Sequence, residues 1–170
     1  MSNEHGEDSG TATPYETARG RDWPSVRQFN IFVENRVGNL LSVVRHFETT
    51  DIRIVSLTVV DSADCAVISM VLSDPERAVE ILDRARLPFT ETDLLVVQLP
   101  DGVRPLLDIC KALLGAEISI HYAYPLLIGP RGCAALALRV EDHETAAAVL
   151  TRLGFILFTE NDLHIDEDLT

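Results

Sequence analysis

The sequence predicts an α+β fold of two similar units. Each has the order β-α-β-β-α-β, with one antiparallel sheet and both helices on one face. Three observations lead there. A window recurs: Phe89-Thr90-Glu91-Thr92-Asp93-Leu94-Leu95 returns as Phe158-Thr159-Glu160-Asn161-Asp162-Leu163-His164. The segments before it match too, Asp74-Pro75-Glu76-Arg77-Ala78-Val79-Glu80-Ile81-Leu82 with Asp142-His143-Glu144-Thr145-Ala146-Ala147-Ala148-Val149-Leu150, and Leu40, Leu41, Phe47, Ile52 and Ile54 with Leu106, Leu107, Leu113, Ile118 and Ile120. Equivalent residues are 66 apart at Leu40, 68 at Asp74 and 69 at Phe89, as a duplication with small loop insertions in its second copy requires. Finally, the apolar period alternates between strand-like and helix-like in the same order in both copies.

Residues 1–26 are rich in Ser, Thr, Gly, Glu and Asp and have no apolar period, so they read as a flexible leader. Within it, Trp23 is either an anchor on the folded body or an exposed side chain. The first unit, 27–93, opens with a strand near 28–34, where Phe29, Ile31 and Val33 alternate with Gln28, Asn30 and Glu34. The turn Asn35-Arg36-Val37-Gly38-Asn39 follows, then a helix to about 49 carrying Leu40, Leu41, Val44 and Phe47. Strands rich in Val and Ile are expected at 52–60 and 65–72, joined by Asp61-Ser62-Ala63-Asp64. Ser73-Asp74-Pro75-Glu76 starts the next helix with a capping residue, a first-turn proline and an acid near the positive end. A short strand near 88–92 closes the unit.

The second unit, 94–164, repeats the plan. It has a strand at 94–99, the turn Pro100-Asp101-Gly102-Val103-Arg104-Pro105, a helix over 105–115, strands at 117–125 and 133–140, a helix over 143–153 capped by Asp142, and a strand at 155–160. Gly129-Pro130-Arg131-Gly132 carries the extra loop residues. From Glu160 and Asp162 onward the acids crowd into what reads as a solvated end, with 165–170 an acidic tail. This element order is the ferredoxin-like arrangement, which hosts many functions and names none. The strands carry apolar residues on both faces: Val55, Leu57 and Val59 oppose Ile52 and Ile54, and Leu94 and Val96 oppose Leu95, Val97 and Leu99. Helices cover one face, so the two copies are expected to pack on each other and the chains to dimerise.

A net charge of −13, from 14 basic and 27 acidic residues, argues against nucleic-acid or anionic-membrane partners. There is no apolar run long enough to span a bilayer and no signal-like start, so a cytoplasmic protein is expected. Cys65, Cys110 and Cys133 lie in apolar runs without disulfide or zinc spacing and read as small buried hydrophobes. No phosphate-binding glycine loop, HExxH or GxSxG occurs, and neither a metal nor a cofactor is implied. His46, His121, His143 and His164 are scattered. His121 lies in Ile118-Ser119-Ile120-His121-Tyr122-Ala123-Tyr124, where alternation sets Ser119, His121 and Ala123 against Ile118, Ile120, Tyr122 and Tyr124. It reads as a half-buried structural residue.

More informative are the turns that start the first helix of each unit. Gly38 sits where the chain passes from strand to helix, a place where missing side-chain bulk lets a ligand approach and leaves helix amides open to a carboxylate or phosphate. The alternative is that Gly38 serves only the tight turn. Glu34-Asn35-Arg36-Val37-Gly38-Asn39-Leu40 followed by a helix and Asp51-Ile52-Arg53-Ile54 resembles the ACT-domain signature. Pro100-Asp101-Gly102-Val103-Arg104-Pro105-Leu106 with Tyr122 and Tyr124 is similar to the second half of small tandem ACT proteins, a type named after the regulatory part of acetolactate synthase.

The resemblance implies a non-catalytic regulator of amino-acid metabolism that pairs and binds an amino acid between the strand-to-helix turn of one unit and the second strand of another. Carried onto this chain, the ligand residues are Asn35, Val37, Gly38, Asn39, Leu40 and Arg53, and in the second copy Asp101, Gly102, Val103, Arg104, Ser119 and His121. Arg53 stands where the family places an Asn; it is either a carboxylate holder or a solvated strand residue. The family proline is replaced by Val37, and the second turn has Arg104 in place of its glycine and loses an amide at Pro105. The first turn is therefore the stronger candidate. The expected ligand is a small or branched-chain amino acid, the expected partners a second copy and a biosynthetic enzyme. Two other readings stand beside this one: an ACT-type interaction module without a ligand, and a small enzyme or metal binder on the same scaffold.

Overall fold

The computed structural model describes residues 24–61 and 65–164. Trp23, most of the leader, the middle of the Asp61–Asp64 connection and the acidic tail lie outside these residues. The first copy contributes β1 (Val26–Glu34), α1 (Asn39–Arg45), β2 (Ile54–Asp61), β3 (Cys65–Leu72) and α2 (Pro75–Arg84). A long strand, β4 (Phe89–Gln98), leads into α3 (Pro105–Gly115), β5 (Ile120–Pro125), β6 (Ala135–Val140), α4 (His143–Arg152), β7 (Leu157–Phe158) and α5 (Glu160–Leu163). The two ferredoxin-like units share one curled antiparallel sheet, ordered β2-β3-β1-β4-β6-β5, with β7 also paired to β4.

The strands expected near 88–92 and 94–99 are thus one strand. Its first part pairs with β1, from Ile31↔Phe89 to Val26↔Leu94. Its second part pairs with β6, from Leu95↔Leu138 to Gln98↔Ala135. No turn residue interrupts Thr92-Asp93-Leu94, so nothing breaks the ladder between the copies. The folded body also reaches back to Ser25, which is buried and donates to Asp93 Oδ1 at 3.0 Å.

The helix side of the sheet holds two cores. Phe29, Ile31, Ile68 and Met70 pack under Val43, Phe47, Ala78 and Leu82 in the first unit; Leu95, Val97, Leu136 and Leu138 pack under Ile109, Leu113, Ala146 and Leu150 in the second. The opposite face is closed by the curl of the sheet itself. There Val26, Val55 and Val71 of the first copy meet Leu94, Val96, Ala135, Ala137, Phe158 and Leu163 in a third core. The two copies therefore do pack on each other within one chain.

Simple alternation fails at two equivalent places. Bulges lie between Ile54 and Ser56 and between Ile120 and Tyr122, 66 residues apart like the rest of the repeat. A bulge inserts one residue and reverses which face follows. Leu57 consequently joins Ile54 on the helix side while Val55 turns to the inter-copy core, and Val59 is exposed. Likewise Ile118 and Ile120 go to the helix side, and Tyr124 goes to the inter-copy core.

Candidate functional site

Helix starts divide into two kinds. Asp74 caps α2 by accepting from the Arg77 amide at 3.0 Å, and Asp142 caps α4 by accepting from the Thr145 amide at 3.0 Å. The Asp142 carboxyl is held below its ordinary range, first by the Thr145 hydroxyl and then by that amide. By contrast α1 and α3, the first helix of each copy, begin without a side-chain cap. Their N-cap residues are Gly38, at φ 94°, and Arg104.

At the first turn, Asn39 Nδ2 donates to Glu34 O at 2.5 Å and the Arg36 amide to the same oxygen at 2.9 Å, drawing the turn back onto the end of β1. Gly38 closes the turn in the left-handed region, where a side chain is strained. An added Cβ there would meet no atom within 4 Å, so backbone conformation rather than crowding calls for glycine in the unliganded chain. Val37 is fully exposed and Leu40 partly so. Beside the turn lies an open cavity of about 180 Å³, walled by Asn35, Asn39 and Leu40 on one side and by Val59, Asp61, Ala66 and Ile68 of β2 and β3 on the other.

The second turn is built differently. Gly102 lies at φ 137°, Val103 is exposed, and Pro105 occupies the first helical position without an N–H to offer. Asp101 and Arg104 are exposed.

Residues 24–165 match the family model described as the ACT domain pair. The chain belongs to the ACT-domain-pair family. Among solved structures, protein BT0572 from Bacteroides thetaiotaomicron is similar over 86% of this chain and 99% of its own, with a TM-score of 0.75 and 22% identity. The ligand-free regulatory subunit of aspartate kinase from Thermus thermophilus is similar over 75% of this chain and 91% of its own, with a TM-score of 0.50 and 11% identity. At these identities the likeness is one of fold. No curated protein matches the sequence.

In this ACT pair the residues named from the sequence do not all converge. The cavity at the first turn is walled by first-copy residues alone. Arg53 lies at the other end of the sheet: register places Ile54 beside Leu72 and Gln28 beside Val71, whereas Asp61, Ala66 and Val33 share the end that carries Gly38. Ser119 and His121 are exposed on the approach to and first part of β5, and His121 is not the half-buried residue its run suggested. Cys65 and Cys110 are exposed and Cys133 is half-buried, so none is the fully buried hydrophobe expected; Cys65 on β3 and Cys110 on α3 face outward, and Cys133 lies in the connection before β6 at the edge of the inter-copy core.

Glu160 departs furthest from its reading as part of a solvated end. It is completely buried and receives the Arg27 amide at 3.0 Å and Arg27 Nε at 2.7 Å. Those bonds, with a second carboxylate from Glu76, hold the Arg27 guanidinium charged well above its already high ordinary range. Also unforeseen is a polar seam across the inner face. Gln28 donates to the Tyr122 hydroxyl at 3.0 Å and accepts from Tyr124, while Asn30 takes Ser69 Oγ at 2.9 Å and donates to Thr92 Oγ1 at 2.8 Å. The two tyrosine rings stack with centroids 6.1 Å apart, and burial pushes the Tyr124 hydroxyl above its ordinary range. The Tyr-x-Tyr pair is the sequence signal for this seam; it joins the copies.

Among the described residues no group of three or more His, Cys, Asp or Glu could hold a metal, and no helix is long and apolar enough to cross a membrane.

Proposed function

We propose that this ACT pair is a non-catalytic regulator that binds a small or branched-chain amino acid at its first turn. The observation that carries the reading is the cavity against the strand-to-helix turn, walled by Glu34, Asn35, Arg36, Asn39 and Leu40 and by the ends of β2 and β3; Gly38 shapes the turn without lining the wall. An uncapped helix start and a residue without a side chain leave backbone N–H groups available to an α-carboxylate. Leu40, Val59 and Ile68 in the wall favour an apolar side chain, and Asn39 and Asp61 are within the wall to receive the α-ammonium. The regulatory subunit among the similar folds is in keeping with this role. The turn at Asp101, Gly102, Val103 and Arg104 is the weaker site, since Pro105 removes one of its donors.

Pairing of two chains belongs to the same proposal, on a surface other than the sheet face. Leu40, Leu41 and Val44 on α1, with Val37 in the turn before it, recur as Leu106, Leu107 and Cys110 on α3, with Val103 in its turn, each 66 residues on. Except for half-buried Val44, all are exposed. Helical spacing makes each set a stripe. Docking of two copies through these stripes covers the apolar side chains and brings a second wall to the Gly38 cavity. Ser119 and His121 of one copy are the family-equivalent residues for that wall.

A thermal-shift screen of the twenty amino acids tests the ligand: a binder of the native state raises its stability by mass action. A rise in melting temperature with one apolar amino acid and not with its charged analogues is expected. If no amino acid shifts the transition, the second reading takes over, an interaction module that docks on a partner or enzyme through the α1 and α3 stripes without a ligand.

A further inference from the structure

We propose a second site, for a small oxyanion, in the crevice where the two copies meet around Arg53. It does not depend on the Gly38 turn, which lies at the opposite end of the first unit. Arg53 precedes β2 and is pinned by two backbone hydrogen bonds to Ser73, its amide donating to Ser73 Oγ at 2.9 Å and its carbonyl accepting the Ser73 amide at 3.0 Å. With Val55 it lines a cavity of about 140 Å³ whose other walls come from the second copy, at Ile128–Arg131 and at Asn161–His164. Arg53 is half-buried, and its Nη2 is shielded from water without a hydrogen-bond partner. Leaving a charged donor desolvated and unpaired is costly, more so than for a neutral one. An acceptor with negative charge removes that cost, and an oxyanion matches the guanidinium fork.

The rest of the crevice supports an anion. Arg131 and His164 line it, and the one carboxylate in its wall, Asp162, is already engaged by Arg131 Nη2 at 2.9 Å and by the Thr159 amide at 2.8 Å. The loop that presents Arg131 is tightly specified. A Cβ on Gly129 would fall 1.6 Å from the Cys133 carbonyl oxygen, and Arg131 itself holds φ 53°, a left-handed conformation that strains a residue with a side chain. The seam is fixed from both sides: the Leu127 amide donates to Val55 O at 2.9 Å and Ser56 Oγ to Pro125 O at 3.4 Å. A cationic crevice is unexpected on a chain of net charge −13, which repels anions elsewhere.

Carboxylate and phosphate groups share the required chemistry, so the full-length chain is titrated separately with sodium acetate, sodium phosphate and glycine at constant ionic strength, with calorimetry and the arginine Nε–H NMR signals as readouts. Saturable binding of acetate or phosphate that shifts the Arg53 Nε–H signal is expected, the stronger of the two naming the source. Arg53→Gln should weaken it at least about tenfold, the loss of one charge-assisted hydrogen bond. Arg131→Gln should weaken it less, and Gly38→Val should leave it unchanged. Absence of saturable binding by acetate and phosphate, an Arg53 signal that does not move at saturation, or wild-type affinity in a folded Arg53→Gln chain would each overturn the site. If Arg53→Gln does not fold, the wild-type signal decides. Because glycine binding lost in Gly38→Val but kept in Arg53→Gln belongs to the turn, the two sites fail independently.

Discussion

The two copies of the seven-residue window carry nearly the same residues and fold differently. Phe89–Leu95 lies in the long strand β4, whereas Phe158–His164 gives two strand residues' end, a cap and the helix α5. Neighbours decide this. The first copy has the whole of β1 to pair with, from Ile31 to Val26. The second begins on the same side of β4, with Phe158 opposite Val96 and Leu157 opposite Val97. The next ladder positions toward Leu94 are already taken by Val26, so β7 has nowhere to continue. The chain leaves the sheet, and the latent capping box Thr159-x-x-Asp162 becomes helix α5. Thr90 and Asp93 hold the same pattern, and there the ladder prevails. Local sequence offers both conformations and tertiary pairing selects one.

The consequence is a division of labour between aligned residues. Glu91 stays partly exposed with its carboxylate 3.9 Å from Arg27, while Glu160, its counterpart, is buried against the same arginine. The largest expected effect therefore separates these two. Glu160→Gln should cost about 3 kcal/mol, as for one partner removed from a buried ion pair. Glu91→Gln should stay within about 0.5 kcal/mol, the range of exposed pairs. Urea unfolding of the two variants checks this, and equal costs would break the comparison.

Leu94 and Leu163 are also aligned, yet both are buried in the inter-copy core. Each truncation to Ala should cost about 2–4 kcal/mol by lost burial and cavity formation. The Leu94 variant should be the worse, because β4 cannot shift to close the gap whereas a four-residue helix can. Chemical denaturation with both variants reads the difference.

A smaller effect sharpens the capping claim. Thr159→Ala should cost about 1 kcal/mol by removing the hydroxyl that donates to Asp162 Oδ2 at 2.9 Å across the start of α5. Thr90→Ala, on an exposed strand position, should change stability by about 0.5 kcal/mol or less.

The smallest effect is on acid stability. Asp142 has a folded-state value below its unfolded one, so its contribution is complete above the unfolded value of about 3.9 and is lost as pH falls through the folded value. Asp142→Asn should flatten the fall in stability below that pH and leave neutral-pH melts nearly unchanged. An acid limb identical to wild type would show that the α4 cap is not its source.

The duplication, the element order and the caps Asp74 and Asp142 were legible because each rests on local spacing. The merging of two strands into β4 was not, since Thr92-Asp93-Leu94 looks the same whether a strand ends or continues. Two bulges reversed the alternation that assigned Leu57 and Tyr124 to faces, and a bulge leaves no mark in a Val- and Ile-rich run. The strand-to-helix turn at Gly38 was readable from its glycine and the helical spacing that follows. The crevice around Arg53 was not, because Ile128–Arg131 and Asn161–His164 approach it only through the curl of the sheet. Glu160 was misread for the same reason: among the acids near the chain end, nothing local distinguishes the one that meets Arg27.

Calorimetric titration of the amino acid picked out by thermal shift into wild type, Gly38→Val and Gly102→Val tests the central claim most directly. The account predicts binding by wild type, loss of that binding in Gly38→Val, where a β-branched side chain both strains the left-handed turn and crowds the ligand, and near-wild-type binding in Gly102→Val. Binding retained by Gly38→Val and lost in Gly102→Val would contradict it.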